Sequence, residues 1–189
     1  QGFRGDIYVK EAVIPEGASI IPKSQFFGCR SLEKVYLPES VSVIEDYAFA
    51  DCHELKVWES IEKLSLKSVG ISAFENCYAL EFISLPDSLT VIEGAAFAEC
   101  VSVNKLIFSD TSLLKKIGDH AFRGCKNLKE VYLPDSVEYV GVSAFRDCVS
   151  LEQISLSEKI KNQPGIAELE KNCPNARIRF REVNSVEKE

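Results

Sequence analysis

Residues 121–148 read AFRGCKNLKEVYLPDSVEYVGVSAFRDC, and this stretch contains one complete sequence unit and the start of the next. Each unit opens with Ala-Phe, continues with two variable residues and then has a Cys. Well-formed copies of this phrase begin at Ala48, Ala73, Ala96, Ala121 and Ala144. A degenerate copy, Gln25-Phe26 with Cys29, precedes them, and Cys173 marks a final copy in which the Phe is absent. The chain is therefore made of repeated units.

The repeat has two alternating lengths. Successive cysteines are separated by 23, 25, 23, 25, 23 and 25 residues. A fixed period of about 20–50 residues is typical of supersecondary units that stack on one another. The spacing thus predicts a solenoid in place of a layered globule. The alternation gives a 48-residue super-repeat, which indicates duplication of a pair of units.

Each unit contains a predicted short strand after its Cys. In the best copies apolar residues follow the pattern Leu-x-x-φ-x-Leu, as in Leu128, Val131 and Leu133. Alternating apolar positions indicate a strand with one side towards a core. Three of these strands end in Leu-Pro followed by an acid and Ser, as at 134–136, where proline and turn-forming residues stop the strand. A second apolar stretch, carrying an Ile or Val, comes shortly before the next Ala-Phe pair.

The combined pattern, Leu-x-x-φ-x-Leu-Pro, then Ile, then Ala-Phe-x-x-Cys, resembles the BspA-like, treponemal-type class of leucine-rich repeat over residues 9–173. The resemblance implies an α/β-type leucine-rich-repeat solenoid, a single curved domain with a short parallel strand per repeat. The opposite side is expected to be mainly irregular or short helical. We divide the chain into an N-terminal lead-in (1–8), a solenoid of about seven repeats (9–173) and a C-terminal capping strand with a polar tail (174–189).

Composition narrows the classes of partner. The net charge of −7 comes from interspersed acids and disfavours nucleic acid, because phosphate binding needs a basic face. The apolar runs are too short to span a membrane. The sequence has no methionine, even at position 1, and no recognisable signal peptide, which indicates a processed or excised segment of a longer product.

The seven cysteines occupy the same point of each repeat. We interpret them as a column of buried thiols that act as small apolar groups. Disulfides between neighbouring coils meet the distance condition, but parallel side chains and an odd number of cysteines disfavour them. A zinc site is less well supported than disulfides, since no two cysteines have close ligand spacing and His53 and His120 are isolated. We assign no metal and no cofactor.

No residues are assigned to catalysis. The glycines are scattered and so form no phosphate-binding loop, and nothing marks a nucleophile with its base. The acids that recur after the Leu-Pro strands, Glu39, Asp87 and Asp135, are interpreted as turn formers, with a weak calcium ladder as the alternative. We expect that the protein is not an enzyme.

The candidate binding residues are those that point outward from the predicted strands. They place charges and large apolar side chains on one face: Lys34, Tyr36, Glu59, Phe82, Lys105, Ile107, Glu130 and Tyr132. Exposed rings flanked by charges are typical of protein-binding surfaces, although aromatic residues also favour strands and could simply cover the sheet. Trp58 falls on an inward position of a divergent strand and is assigned to the core.

The family resemblance implies a non-enzymatic protein–protein interaction module. Such proteins resemble adhesins of bacteria and other microbes, displayed on the cell surface or secreted, that bind host matrix proteins; a periplasmic location also fits. The alternative is a structural module that self-associates through an open solenoid end, where Phe3 and Ile7 offer little cover. Arg4, Gly5 and Asp6 match the tripeptide that integrins recognise, and chance is the leading explanation for so short a match.

Overall fold

The computed structural model describes residues 2–59 and 63–182, and for residues 57–59 the backbone alone. Parallel strands recur once per repeat and stack coil upon coil, so the predicted solenoid is confirmed. The core assignment of Trp58 concerns a side chain outside the described part. Within the described residues no helix is long and apolar enough to cross a membrane.

The first ladder contains the strands predicted after each Cys. In the three-residue strands whose side chains are described, the middle residue is buried and its neighbours are partly or fully exposed, which is the expected alternation. Where neighbouring strands pair, they do so in parallel and in register. The strands are β1 (Glu11–Val13), β3 (Lys34–Tyr36), β5 (Val57–Glu59), β7 (Phe82–Ser84), β9 (Lys105–Ile107), β11 (Glu130–Tyr132) and β13 (Gln153–Ser157).

A second ladder lies on another side of each coil, where the sequence indicated only an apolar stretch. Its two-residue strands form one continuous six-stranded parallel sheet. The second residue of each strand is buried, and the first lies on the outer face. The strands are β2 (Ile20–Ile21), β4 (Val43–Ile44), β6 (Ser68–Val69), β8 (Val91–Ile92), β10 (Lys116–Ile117) and β12 (Tyr139–Val140).

A stack of phenylalanine rings runs through the core between the two ladders. Neighbouring rings are nearly parallel and their centroids lie 5.1–5.6 Å apart. The stack begins one coil earlier than the sequence motif, because Phe3 lies on Phe26 at 5.4 Å. The rings from Phe26 to Phe145 are almost fully buried, whereas Phe3 is 42% exposed.

Two left-handed turns flank the Phe in each coil. Residues with φ near +55° to +60° lie two positions before the ring, such as Ala95, and others lie two positions after it, such as Glu99. Glycine occupies the later position in some coils, as Gly124 does with a φ of 73°. Most side chains are strained in this region, so the repeated coil geometry enforces the turn even where glycine is absent.

All seven cysteines are free thiols and all are buried, which confirms the thiol column. Each thiol donates a hydrogen bond to the carbonyl of the Phe in the preceding coil. The distance from sulfur to oxygen is 3.1 Å from Cys100 to Phe74 and 3.2 Å from Cys148 to Phe122. The thiols therefore connect adjacent coils while filling space beside the ring stack.

The last coil contains the α-helical residues of the described part. A 3₁₀ helix (Glu158–Ile160) is followed by α1 (Pro164–Ala167) and α2 (Leu169–Asn172). Strand β14 (Arg177–Arg181) then pairs in parallel with β13 at the end of the first ladder. The Arg181 guanidinium donates to Ser155 Oγ at 2.7 Å and to Asp135 Oδ1 at 2.8 Å, so this end is tied back across two coils.

Candidate protein-binding surface

The outer side of the first ladder forms the candidate surface, which we call the sheet face. Strand pairing places Phe82 beside Lys105, and Ser84 beside Ile107. The neighbouring sheet aligns Tyr132 with Ser155 and then with Arg179. The face therefore has two columns of outward side chains that run along the solenoid.

Three apolar side chains stand out on the sheet face. Phe82 is 46% exposed, Ile107 37% and Tyr132 51%. They belong to three consecutive strands, β7, β9 and β11, with Phe82 in one column of the face and Ile107 and Tyr132 in the other, and we call these three side chains the apolar strip. A group of solvent-exposed apolar side chains on neighbouring strands is unfavourable in water unless a partner covers it.

The predicted residues divide between two parts of the face. Phe82, Lys105, Ile107, Glu130 and Tyr132 come together on β7, β9 and β11. Lys34 and Tyr36 lie on β3, in a separate sheet, and both are only half-exposed. Glu59 ends β5, and its side chain is outside the described part.

Tyr132 is held in place by polar neighbours. Its hydroxyl accepts a hydrogen bond from Gln153 Nε2 at 2.9 Å and donates to Glu130 Oε2 at 3.5 Å. A ring that is fixed before binding loses less conformational entropy when a partner covers it. Tyr132 is therefore suited to serve as an anchor for a partner.

Two clefts border the apolar strip at the ends of the strands. One, of about 450 Å³, is lined by Leu85, Pro86 and Ile107, and the other, of about 380 Å³, by Tyr132, Pro134 and other residues. Ser109 lines both clefts and donates a hydrogen bond to the Asp87 carboxylate. The clefts are depressions beside the apolar strip, and a partner's side chains can fit into them.

Two of the three recurring acids, Asp87 and Asp135, accept hydrogen bonds from side chains of later coils. Ser109 and Thr111 both donate to Asp87, and these hydrogen bonds hold the pKa of its carboxyl below the usual value. Asp135 accepts from Arg181. These contacts join neighbouring coils, and among the described residues no group of three or more His, Cys, Asp or Glu could hold a metal ion.

The thiol column offers little chemical reactivity. Burial raises the pKa of the Cys100 thiol to about 12 and that of Cys173 to about 11. A thiol must be deprotonated to act as a nucleophile or a metal ligand. At neutral pH these groups stay protonated, and the cysteines act as packing and hydrogen-bonding groups.

The tripeptide Arg4-Gly5-Asp6 occupies the left-handed turn that follows the Phe of a coil. Gly5 has a φ of 72°, and the ring before the tripeptide, Phe3, continues the stack. The Arg4 guanidinium lies 5.2 Å from the centroid of the Phe27 ring, and Asp6 Oδ1 accepts from the backbone N–H of Tyr8 at 2.9 Å. All three residues are exposed, and recognition by integrins stays a prediction.

Two features were not predicted from the sequence. Phe3 belongs to the ring stack, and its spacing of 23 residues from Phe26 is the signal that could have shown this. The other is the register of β14, which corresponds to the expected capping strand and places Arg177 and Arg179 beside Gln153 and Ser155 on the sheet face. The alternating apolar and cationic residues at 176–181 pointed to a strand but not to its side-chain register.

Comparison with known proteins agrees with this architecture. The sequence profile described as "BspA type Leucine rich repeat region" matches six copies, over residues 1–113 and 57–167. No curated protein matches the chain significantly.

Solved structures of bacterial leucine-rich repeat proteins have a similar fold. One from Bacteroides ovatus is 22% identical with a TM-score of 0.65, and the match covers 97% of this chain and 63% of that one. The Treponema pallidum leucine-rich repeat protein is 29% identical with a TM-score of 0.59, covering 90% and 68%. A leucine-rich cell surface protein from Faecalibacterium prausnitzii is 23% identical with a TM-score of 0.58, covering 97% and 62%.

The chain thus spans about 63% of the length of the B. ovatus protein. Leucine-rich repeats of this kind generally serve as non-enzymatic interaction modules, and the stacked coils described above provide such a surface. With its repeat profile matched almost from end to end, this chain belongs to the BspA-type leucine-rich-repeat family.

Proposed function

We propose that this chain is an adhesin-like module of a bacterial surface or secreted protein, which binds a host matrix protein or another cell-surface protein through its sheet face. The observation that carries the proposal is the exposure of Phe82, Ile107 and Tyr132 on consecutive strands. The strip, with its fixed tyrosine and bordering clefts, is the kind of surface whose burial stabilises a protein complex.

Charges around the apolar strip favour a protein partner over a purely apolar surface. Lys105 lies beside Phe82, and Glu130 lies in the same column one coil later. Charged side chains of both signs at the rim fix the orientation of a partner by complementarity. Lys34 and Tyr36, half-exposed on β3, would extend the contact if the partner also reached the other part of the face.

The proposed location outside the cell rests on family membership. The F. prausnitzii protein, which has the same fold, is named a cell surface protein. Buried thiols that form no disulfides place no requirement on an oxidising or a reducing compartment.

Binding to immobilised fibronectin and fibrinogen tests the proposal. We expect saturable binding by the wild-type chain and at least a tenfold weaker response from the double variant Phe82→Ser, Tyr132→Ser. The control is Tyr78→Ser, which removes a ring that is 40% exposed but lies outside the strands of the sheet face. Equal binding by the double variant would move the site elsewhere, and no binding by the wild type would remove the host-matrix proposal.

The integrin hypothesis needs a separate variant. Asp6→Asn removes the carboxylate charge but retains an oxygen that can accept from the N–H of Tyr8. Adhesion of integrin-bearing cells that is lost in Asp6→Asn and retained in the sheet-face variant would support recognition of the tripeptide. Adhesion that is equal in Asp6→Asn and the wild type would contradict it.

A second candidate function is self-association through the N-terminal coil. Exposed apolar side chains concentrate there: Phe3 at 42%, Tyr8 at 85%, Val13 at 75% and Ile20 at 46%. A further coil stacked on this end would continue the ring stack in the way that each internal coil does. Sedimentation analysis over a range of concentrations tests this, and we expect Phe3→Ser to shift the equilibrium to monomer if the end is used.

A further inference from the structure

A further cavity lies on the second ladder, away from the sheet face. Its volume is about 530 Å³, and it is widely open to solvent. Gly94 and Gly118 form its floor, Ile71 stands on one side and Tyr139 on the other. It belongs to the outer surface of the six-stranded sheet and takes no part in the function proposed above.

The cavity exists because one position of the repeat lacks a side chain. The strand register aligns residue 94 with the positions two residues beyond each buried Ile or Val of the second ladder. The equivalent residues in the other coils all have side chains: Lys23, Asp46, Ile71, Asp119 and Val142. Coils are about 4.8 Å apart, so the gap between Ile71 and Asp119 is about 10 Å wide.

Neither packing nor backbone geometry requires glycine at position 94. A Cβ there would meet only the carbonyl oxygen of Asp119, at 3.4 Å, and the residue is not in the left-handed region. By contrast, a Cβ at Gly118 would lie 2.5 Å from the backbone nitrogen of Gly94. Gly118 is thus needed for the close approach of two coils, whereas Gly94 only leaves the cavity open.

The walls and rim of the cavity combine apolar and charged groups. Ile71 is 44% exposed and Tyr139 36%, so both offer apolar surface to the cavity. Lys116 Nζ pairs with Glu93 Oε2 at 2.8 Å. Asp119 Oδ1 accepts from the backbone N–H of Val142 at 2.9 Å and from the Tyr139 hydroxyl at 3.4 Å, so it turns away from Gly94 and orients the ring.

From this arrangement we infer that the cavity is a binding site for a hexopyranose unit of a glycan. A pyranose has apolar C–H faces that suit the Tyr139 ring and the Ile71 side chain. Its hydroxyl edge suits the carboxylate of Glu93 and the ammonium of Lys116 at the rim. An apolar protein side chain in the same space would cover the Glu93–Lys116 ion pair without offering partners to its remaining hydrogen-bonding atoms, which is costly.

Saturation-transfer NMR with methyl glycosides of glucose, galactose, mannose and N-acetylglucosamine tests the inference. We expect at least one of them to receive magnetisation from the wild-type protein. Gly94→Leu should weaken the signal at least tenfold, because the new side chain fills the cavity. The matched control Val142→Leu adds bulk at the same register position outside the cavity lining and should leave binding unchanged.

A second variant keeps the test decisive if Gly94→Leu fails to fold by circular dichroism. Tyr139→Ala removes one wall and should also weaken binding at least tenfold. The absence of transfer to all four glycosides would overturn the inference, as would equal binding by a folded cavity variant. A glycoprotein compared before and after enzymatic removal of its glycans then separates protein-linked sugars from free saccharides.

Discussion

At the residue scale the fold depends on a few side chains that recur at fixed positions. Phe122 is fully buried between two neighbouring rings, while Phe82, of the same residue type, is 46% exposed on the sheet face. The Ala-Phe-x-x-Cys phrase shows which phenylalanines are internal, because a ring that returns once per coil at the same position must stack with its neighbours. Alternation within the strands shows the outward position of Phe82.

Replacement of these two rings should separate packing from surface exposure. We expect Phe122→Ala to lower the free energy of unfolding by about 3–5 kcal/mol, because it leaves a cavity in the stack. Phe82→Ala should cost less than about 1 kcal/mol. Urea unfolding followed by circular dichroism measures both, and equal losses would contradict the described burial.

The raised pKa values of the buried thiols predict that the folded protein loses stability at alkaline pH. Their pKa in the folded protein is raised by burial, from the ordinary 9.0 to about 12 for Cys100 and about 11 for Cys173. The unfolded chain releases these protons from about pH 9, while the folded chain retains them, so the stabilisation is complete below pH 9 and is lost as the pH rises towards 12. For the fully buried Cys100 the decline is at most about 1.4 kcal/mol per pH unit within this window, and for Cys173 the window closes near pH 11.

Unfolding by urea at a series of pH values from 8 to 11 would measure this effect. Cys100→Ala, compared with the wild type, should be less stable at pH 8 but should show a shallower decline above pH 9. A decline of the same slope in both proteins would indicate that other groups cause it.

At the element scale the coils approach each other closely at particular glycines. Gly118 and Gly94 lie in neighbouring coils of the second ladder. A side chain at Gly118 would clash with the backbone of the preceding coil, whereas one at Gly94 would not. The sequence shows both only as glycines. Which of them is needed for packing depends on the distance between coils, and no local pattern encodes that distance.

Alanine at these two positions should act in opposite directions. Gly118→Ala forces a Cβ against backbone atoms at 2.5–2.9 Å and should destabilise by about 1–3 kcal/mol or more. Gly94→Ala meets no such obstacle and should stabilise by about 0.4–1 kcal/mol, because it reduces the freedom of the unfolded chain. Thermal unfolding of the two variants measures the difference, and a loss at Gly94 as large as at Gly118 would be inconsistent with the described spacing.

At the scale of the whole molecule the stability is distributed along one dimension, since each coil contacts mainly its neighbours. The ends differ from the middle. The C-terminal coil is covered by β14 and held by Arg181, whereas Phe3 at the other end is 42% exposed. Central coils have neighbours on both sides.

Hydrogen exchange should reveal a gradient along the solenoid. The N–H of Phe97, which donates to the Ala121 carbonyl at 2.8 Å, lies in a central coil and should exchange slowly. The N–H of Phe3, which donates to the Gln25 carbonyl at 3.0 Å, should exchange much faster because the terminal coil opens more readily. Equal protection at the two sites would mean that the solenoid unfolds as a single cooperative unit.

The sequence by itself determined the repeating architecture, the inward Phe and Cys positions and the outward positions of the sheet face. These follow from periodicity, because identical units can bury their apolar residues only by stacking in register. It also pointed to Phe82, Ile107 and Tyr132 as surface residues, although not to the clefts beside them.

Only the tertiary structure decided the second ladder, the place of Phe3 in the ring stack, the tie formed by Arg181 and the cavity over Gly94. Each depends on residues more than 20 positions apart, such as Arg181 with Asp135 or Ile71 with Gly94. The distance and orientation between coils bring these residues together. Local sequence patterns specify the form of a coil, whereas contacts between coils arise only when the coils are stacked.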